Sequence, residues 1–194
     1  MTIDEKGFWI GSNNLPHRFD QGVANYIREY MQKHSLQFVI DIGCGDGSYV
    51  SYLEATERYN IYAFGYDGNP ETARITNGEC LIQDFTVPVA LGRYELVLSL
   101  EVGEHIPRKY EDVFIDNIIQ SAKDHIILSW AIEGQGGDGH VNCRNNDYIV
   151  GKMENKGYLL NRYETDSIRE ASHLSWLKNT LMVFQKENNN ARTF

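Results

Sequence analysis

Several things are scarce in this chain, and each scarcity narrows what it can be. Only three of its 194 residues are cysteine, Cys44, Cys80 and Cys143, and their spacing fits no zinc motif. An odd cysteine count with no leader segment points to reduced thiols and a cytoplasmic setting. Positive charge is short: 18 Lys and Arg stand against 27 Asp and Glu, a net −9. That balance argues against nucleic acid as a partner. No apolar run approaches the roughly 20 residues of a spanning helix, so no membrane partner is expected. The opening MTIDEKGFWIG has neither the basic start nor the apolar stretch of a secretory leader. Repeats and linkers are absent too. Residues 1–194 therefore read as a single domain, with 1–34 a helical cover and 187–194 a polar tail.

What the chain does have is strand alternating with helix. PHRFDQGVANYIREYMQKH (16–34) spaces Val23, Tyr26, Ile27, Tyr30 and Met31 as one face of a helix. QFVIDI (37–42), NIYAFGYD (60–67), ECLIQDF (79–85), YELVLSL (94–100) and HIILSW (125–130) read as five strands. Helices are expected over 48–57, 107–122, where Pro107 suits a first turn, and 145–156, stopped by Gly157. YLLNRYE and NTLMVFQK close the chain as an antiparallel pair, with a helix around 164–174 between them. Such alternation predicts an α/β fold: a mostly parallel sheet covered by helices on both faces. Ligands then bind beyond the carboxyl ends of the strands.

Functional residues are expected at those ends. Asp41-Ile-Gly43-Cys44-Gly45-Asp-Gly47 follows the first strand. It is not the dinucleotide pattern, because Ser48 stands where GxGxxG needs glycine, and no P-loop Gly-Lys-Ser/Thr follows. The motif resembles the first motif of class I S-adenosyl-L-methionine (SAM)-dependent methyltransferases. That resemblance implies a Rossmann-like fold with a seven-stranded, mostly parallel sheet whose last strand is antiparallel. It implies SAM as cofactor, with Asp41, Gly43, Cys44 and Gly45 at the donor. It also implies Asp67 and Gly68 at the ribose, Asp84 and Phe85 at the adenine, and Leu100 near the methionine part.

A second constellation follows the fourth and fifth strands. In Glu101-Val-Gly-Glu104-His105, one helical turn would place positions i, i+3 and i+4 on one face, a half-site for a divalent metal. The glycine-rich GQGGDGHVN (134–142) ends in His140, which would reach the same place as a fourth ligand or as a base. Glu-x-x-Glu-His resembles the metal-binding motif of two O-methyltransferase groups, one acting in ubiquinone synthesis and one on the ribose 2′-hydroxyl of small RNAs. The resemblance implies Mg²⁺ or Mn²⁺ at Glu101, Glu104, His105 and His140, with His105 and His140 as catalytic candidates. SWAIEGQGGDGHVN also resembles small methyltransferase domains linked to glycan synthesis. That implies a carbohydrate acceptor such as a deoxyhexose, and a partner or fused glycosyltransferase. A ribose of RNA, a catechol or quinol, and a SAM-binding regulatory subunit without transfer activity are the competing readings. His17 is expected to begin the first helix, Trp9 and Phe19 to cover the cofactor, and His173 and Trp176 to pack in the core or line the acceptor side.

Overall fold

The computed structural model describes residues 2–11, 17–55 and 60–187; the expected polar tail lies outside these apart from Glu187. The first two strands, β1 (Thr2–Ile3) and β2 (Trp9–Ile10), pair with each other as a small antiparallel hairpin. The expected helical cover over 1–34 is thus a hairpin followed by a helix that starts at Gln21. Gly7 has φ +91°, a conformation open to glycine and costly for other residues, and it lets the chain reverse there.

Helix α1 (Gln21–Lys33) is capped by Asp20, whose carboxylate accepts from the amides of Gly22 and Val23. The other carboxylate oxygen accepts from the Ser172 hydroxyl and the amides of His173 and Leu174. Burial would raise this carboxyl, but the five donors outweigh it and hold it below the usual range. One side chain thereby ties α1 to residues 172–174.

The main elements follow as β3 (Phe38–Ile42), α2 (Ser48–Glu54), β4 (Tyr62–Asp67), α3 (Thr72–Ile75), β5 (Cys80–Ile82), β6 (Tyr94–Ser99), α4 (Glu111–Ser121) and β7 (Ala122–Leu128). They end with α5 (Asn146–Glu154), β8 (Tyr158–Leu160), α6 (Arg162–Ala171), α7 (Leu177–Thr180) and β9 (Met182–Lys186). Seven strands form one sheet in the order β5-β4-β3-β6-β7-β9-β8, parallel except for β9, which runs antiparallel to both β7 and β8.

The period of two along each strand divides the core. Val39, Leu96, Leu98 and Ile127 face Val23, Ile27, Met31 and Ile168 of α1 and α6. Ile40, Ile42, Val97 and Ile126 face Phe114, Ile118, Ile149 and Met153 of α4 and α5. Strand order reverses between β3 and β6, so their carboxyl ends form the switch-point crevice. No helix among the described residues is long and apolar enough to cross a membrane.

Candidate active site

The crevice is a cavity of about 490 Å³, a size usual for small-molecule sites. Asp41, Gly43, Cys44, Gly45, Asp67, Gly68, Phe85, Leu100, Glu101, Glu104, His105 and His140 all line it. Asp84 does not.

At one end, the turn after β3 is bound to the end of β4. The amides of Gly43 and Cys44 donate to the Tyr66 carbonyl at 2.7 and 3.1 Å. Gly45 donates to Asp67 Oδ2 at 2.9 Å, and Asn69 to Asp67 Oδ1 at 2.8 Å. Each of those oxygens keeps a further lone pair for a ligand hydroxyl. Burial lifts the Asp67 carboxyl against the pull of these amides. Asp41, deeper in, is pushed up to about 7 by burial and by the neighbouring Asp67 and Asp46. Gly45 has φ +57°, and a Cβ there would lie 2.6 Å from the His17 ring, so a side chain is excluded twice over. Asp84 is engaged elsewhere: Oδ2 pairs with Lys6 Nζ at 2.6 Å, and Oδ1 accepts from the Thr86 amide and hydroxyl. Phe85 is 3% exposed and belongs to the α4-side core.

At the other end, the turn after β6 carries Glu101 at φ +56°, a rare conformation for a residue with a side chain. That residue breaks the expected helical turn, which begins only at Val102, whose carbonyl accepts from the His105 amide. The Glu101 carboxylate is not part of the Glu104/His105/His140 group and is held by other partners. It accepts from Ser129 Oγ at 2.8 Å, Thr180 Oγ1 at 3.2 Å and Gln135 Nε2 at 3.3 Å.

Glu104, His105 and His140 do converge, with one ligand atom from each lying within 4.8 Å of the others. The structure thus brings together three of the four expected metal ligands. Glu104 is fully buried, and neither carboxylate oxygen has a partner at hydrogen-bond geometry. Burial first, then the Glu101 charge, raise its carboxyl well above the ordinary range, and the backbone amides of Glu104 and Ala131 offset only part of this. His105 Nδ1 is likewise buried without a hydrogen-bond partner. Burial and the neighbouring His140 push this imidazole down to about 4 against the pull of the Gly139 backbone, so it is neutral at pH 7.

His140 stands with its ring centroid 5.0 Å from that of His105, and its Nε2 is 4.0 Å from Glu104. Its Nδ1 lies 3.2 Å from the Gln135 carbonyl oxygen, which can only accept. Nδ1 therefore carries a proton toward that carbonyl, and Nε2 is the ring nitrogen directed at Glu104.

The glycine loop makes room for these two rings. A Cβ on Gly137 would meet His140 Nε2 at 2.2 Å, and one on Gly139 would meet His105 Nδ1 at 3.2 Å. Its base is fixed rather than loose. The amides of Val141 and Asn142 donate to the Glu104 carbonyl, and Trp130 Nε1 donates to the Asn142 carbonyl at 2.7 Å. Buried Glu111 accepts from Asn142, Arg144 and Tyr148.

Trp9, His17, Phe19 and Trp176 also line the cavity, while His173 is exposed and lies 3.8 Å from Asp20. Gly7, Phe8, Arg18, Tyr49, Asn69 and Gln135 line it as well without having been expected there. Proximity to a motif could have flagged Asn69 and Gln135; Phe8 and Arg18 carry no such signal.

No protein-family model matches the chain, and no curated protein matches it. Solved structures do match. Magnesium protoporphyrin IX methyltransferase from Synechocystis, with bound S-adenosylhomocysteine (SAH), aligns at TM-score 0.63 and 16% identity, over 87% of this chain and 83% of that one. The methyltransferase domain of a bacterial CtHen1-C aligns at 0.62 and 18%, over 87% and 98%. A sugar N-methyltransferase from Streptoalloteichus aligns at 0.66 and 10%, over 87% and 88%. Identities this low speak to architecture, and together with the strand order they show that the chain has the Rossmann-like fold of class I SAM-dependent methyltransferases.

Proposed function

We propose that the chain transfers a methyl group from SAM to a sugar hydroxyl of a glycan, with a deoxyhexose such as rhamnose the first acceptor to test. One observation carries this reading: buried, unpartnered Glu104 stands beside two imidazoles in the cavity that also holds the glycine turn and Asp67. A sulfonium methyl is already activated, so its transfer needs alignment and a competent nucleophile. An amine is nucleophilic once deprotonated, whereas a hydroxyl near neutral pH needs help. Glu104, His105 and His140 supply what a hydroxyl requires and what a pure cofactor-binding module does not.

The donor set of one carboxylate and two imidazoles fits a divalent ion such as Mg²⁺ or Mn²⁺. When bound, such an ion lowers the pKa of a coordinated hydroxyl. The chain's own contribution is to hold the three donors, to fix His140 in the Nδ1–H tautomer through Gln135, and to exclude water with Trp9 and Trp176. In the metal-free form of the same proposal, His140 Nε2 takes the hydroxyl proton directly. The acidic surface suits a neutral acceptor, and a solved sugar N-methyltransferase of the same fold supports a sugar in such a cavity. A glycosyltransferase, as partner or fused domain, would supply the glycan.

The test is methyl transfer from labelled SAM to a panel of deoxyhexosides, before and after EDTA, with Mg²⁺ and Mn²⁺ added back. Transfer that EDTA abolishes and metal restores is expected. EDTA-resistant transfer assigns the work to His140 as base. SAM binding without transfer to any sugar overturns the glycan reading in favour of a ribose or small aromatic acceptor. Failure with those acceptors too leaves a regulatory SAM-binding subunit.

A further inference from the structure

The donor end of the cavity has a wall that no strand-end motif supplies. The hairpin segment before residue 12 touches four successive strand-end loops. A Cβ on Gly68, after β4, would lie 2.3 Å from the Phe8 ring, and Asn69 Nδ2 donates to the Gly11 carbonyl at 3.1 Å. After β5, Lys6 pairs with Asp84. After β6, the His105 carbonyl oxygen lies so close to Gly7 that a Cβ there would come within 1.9 Å of it. After β7, a Cβ on Gly139 would lie 2.5 Å from Ile3. Phe8 and Phe85 both line the cavity and pack against the same core cluster, but Phe8 is half-buried beside Gly68 whereas Phe85 is 3% exposed.

We propose that Phe8 is a donor-binding residue whose ring forms the apolar wall against the adenosine part of the methyl donor. In this assignment Lys6 is a positioning residue, which holds that wall in place through its ion pair with Asp84. The proposal rests on the methyl-donor reading of the cavity. Its chemistry is that of a flat base needing a flat apolar partner, and Phe8 is the aromatic side chain that stands directly over Gly68. The Lys6–Asp84 pair contributes little by itself, because its two side chains are 35% and 28% exposed.

The experiment measures SAH affinity and dissociation on the full chain by calorimetry and stopped flow, with the thermal midpoint of each unligated variant as a check on folding. Phe8→Ala is expected to weaken SAH about tenfold, chiefly through faster dissociation, with an unligated midpoint like wild type. Phe8→Tyr is expected to restore affinity to within about twofold. Lys6→Met is expected to cost about threefold or less, and the exchanged pair Lys6→Asp/Asp84→Lys to recover it. SAH affinity in Phe8→Ala equal to that of wild type overturns the assignment while leaving the donor reading intact. So does a lower unligated midpoint that accounts for the whole loss and that Phe8→Tyr does not repair. A wild-type chain that binds no SAH overturns both.

Discussion

Two histidine pairs in this molecule share nearly the same ring separation and differ in their company. His34 and His125, toward the amino ends of the strands, have ring centroids 5.1 Å apart, and a glutamate, Glu164, lies 4.0 Å from His34 Nε2. His105 and His140, at the carboxyl ends, are 5.0 Å apart, and Glu104 lies 4.0 Å from His140 Nε2. Glu164 has partners: the Lys33 ammonium at 2.5 Å and the Tyr26 hydroxyl. Burial alone would raise its carboxyl, but those partners hold it below the ordinary range. Glu104 has no Lys or Arg partner among the described residues, and its carboxyl is raised. His125 is satisfied by Tyr30 at 2.8 Å, while His105 Nδ1 has no hydrogen-bond partner. The first cluster neutralises itself and belongs to the scaffold. Each cluster keeps one buried imidazole nitrogen without a hydrogen-bond partner, His34 Nε2 and His105 Nδ1, but the second also leaves both oxygens of a buried carboxylate unsatisfied, which a folded chain rarely does without a ligand in view.

Exchanging the two glutamates in turn would break this comparison most sharply. Glu104→Gln is expected to reduce transfer by more than the about 10–100-fold that even an outer-shell partner costs a metal site. Its thermal midpoint should not fall, because the variant removes an uncompensated buried carboxyl. Glu164→Gln should do the opposite, lowering the midpoint and leaving transfer unchanged. Calorimetric melts and initial rates on both variants check this; equal effects at the two sites would dissolve the distinction.

The imidazoles divide in the same way. His140→Ala is expected to cost transfer about 10²–10⁴-fold with SAH affinity unchanged, whereas His125→Asn should keep transfer. A loss of SAH binding in His140→Ala would make that residue part of the scaffold after all. Asp67→Ala probes the far end of the cavity. Losing a charge-assisted partner for the ribose should weaken SAH about 10–100-fold, and an unchanged dissociation constant would refute its role.

The smallest effect is on stability against pH. Burial lowers the titration of both His34 and His125, with Lys33 and His34 respectively adding to it. Below about pH 6.5 the unfolded chain therefore takes up their protons first, and stability falls as pH drops. Glu164 is lowered as well, so its contribution is complete above its ordinary range and is lost only as the pH falls further. Melts between pH 7 and 5 should show a midpoint loss of about 2 °C that shrinks in His125→Asn. No change in that interval would mean that these histidines are open to solvent.

Much of this architecture was legible in the residues themselves. QFVIDI and YELVLSL are continuous apolar runs, and the glycines after the first mark its end, so the central strands and the cavity they open on could be located. The hairpin could not: two strands of two residues carry no periodicity, and nothing in Lys6 announces a partner 78 positions away. Glu101 was misplaced for a related reason. Its expected face assumes helical backbone, and φ +56° at a residue with a side chain has no signature in the sequence. The glycines of residues 134–142 carry no sign of their use in the sequence, and Gly137 and Gly139 make room for the protein's own imidazoles. That purpose becomes visible only once His105 and His140 share a place.

Mn²⁺ binding by the purified chain, followed by calorimetry and electron paramagnetic resonance, decides whether Glu104, His105 and His140 hold a metal. One ion per chain, lost in Glu104→Gln and kept in Glu164→Gln, is the result expected of a cluster whose carboxylate has no cation of its own. Absence of saturable binding, or binding that Glu104→Gln leaves intact, would contradict that assignment.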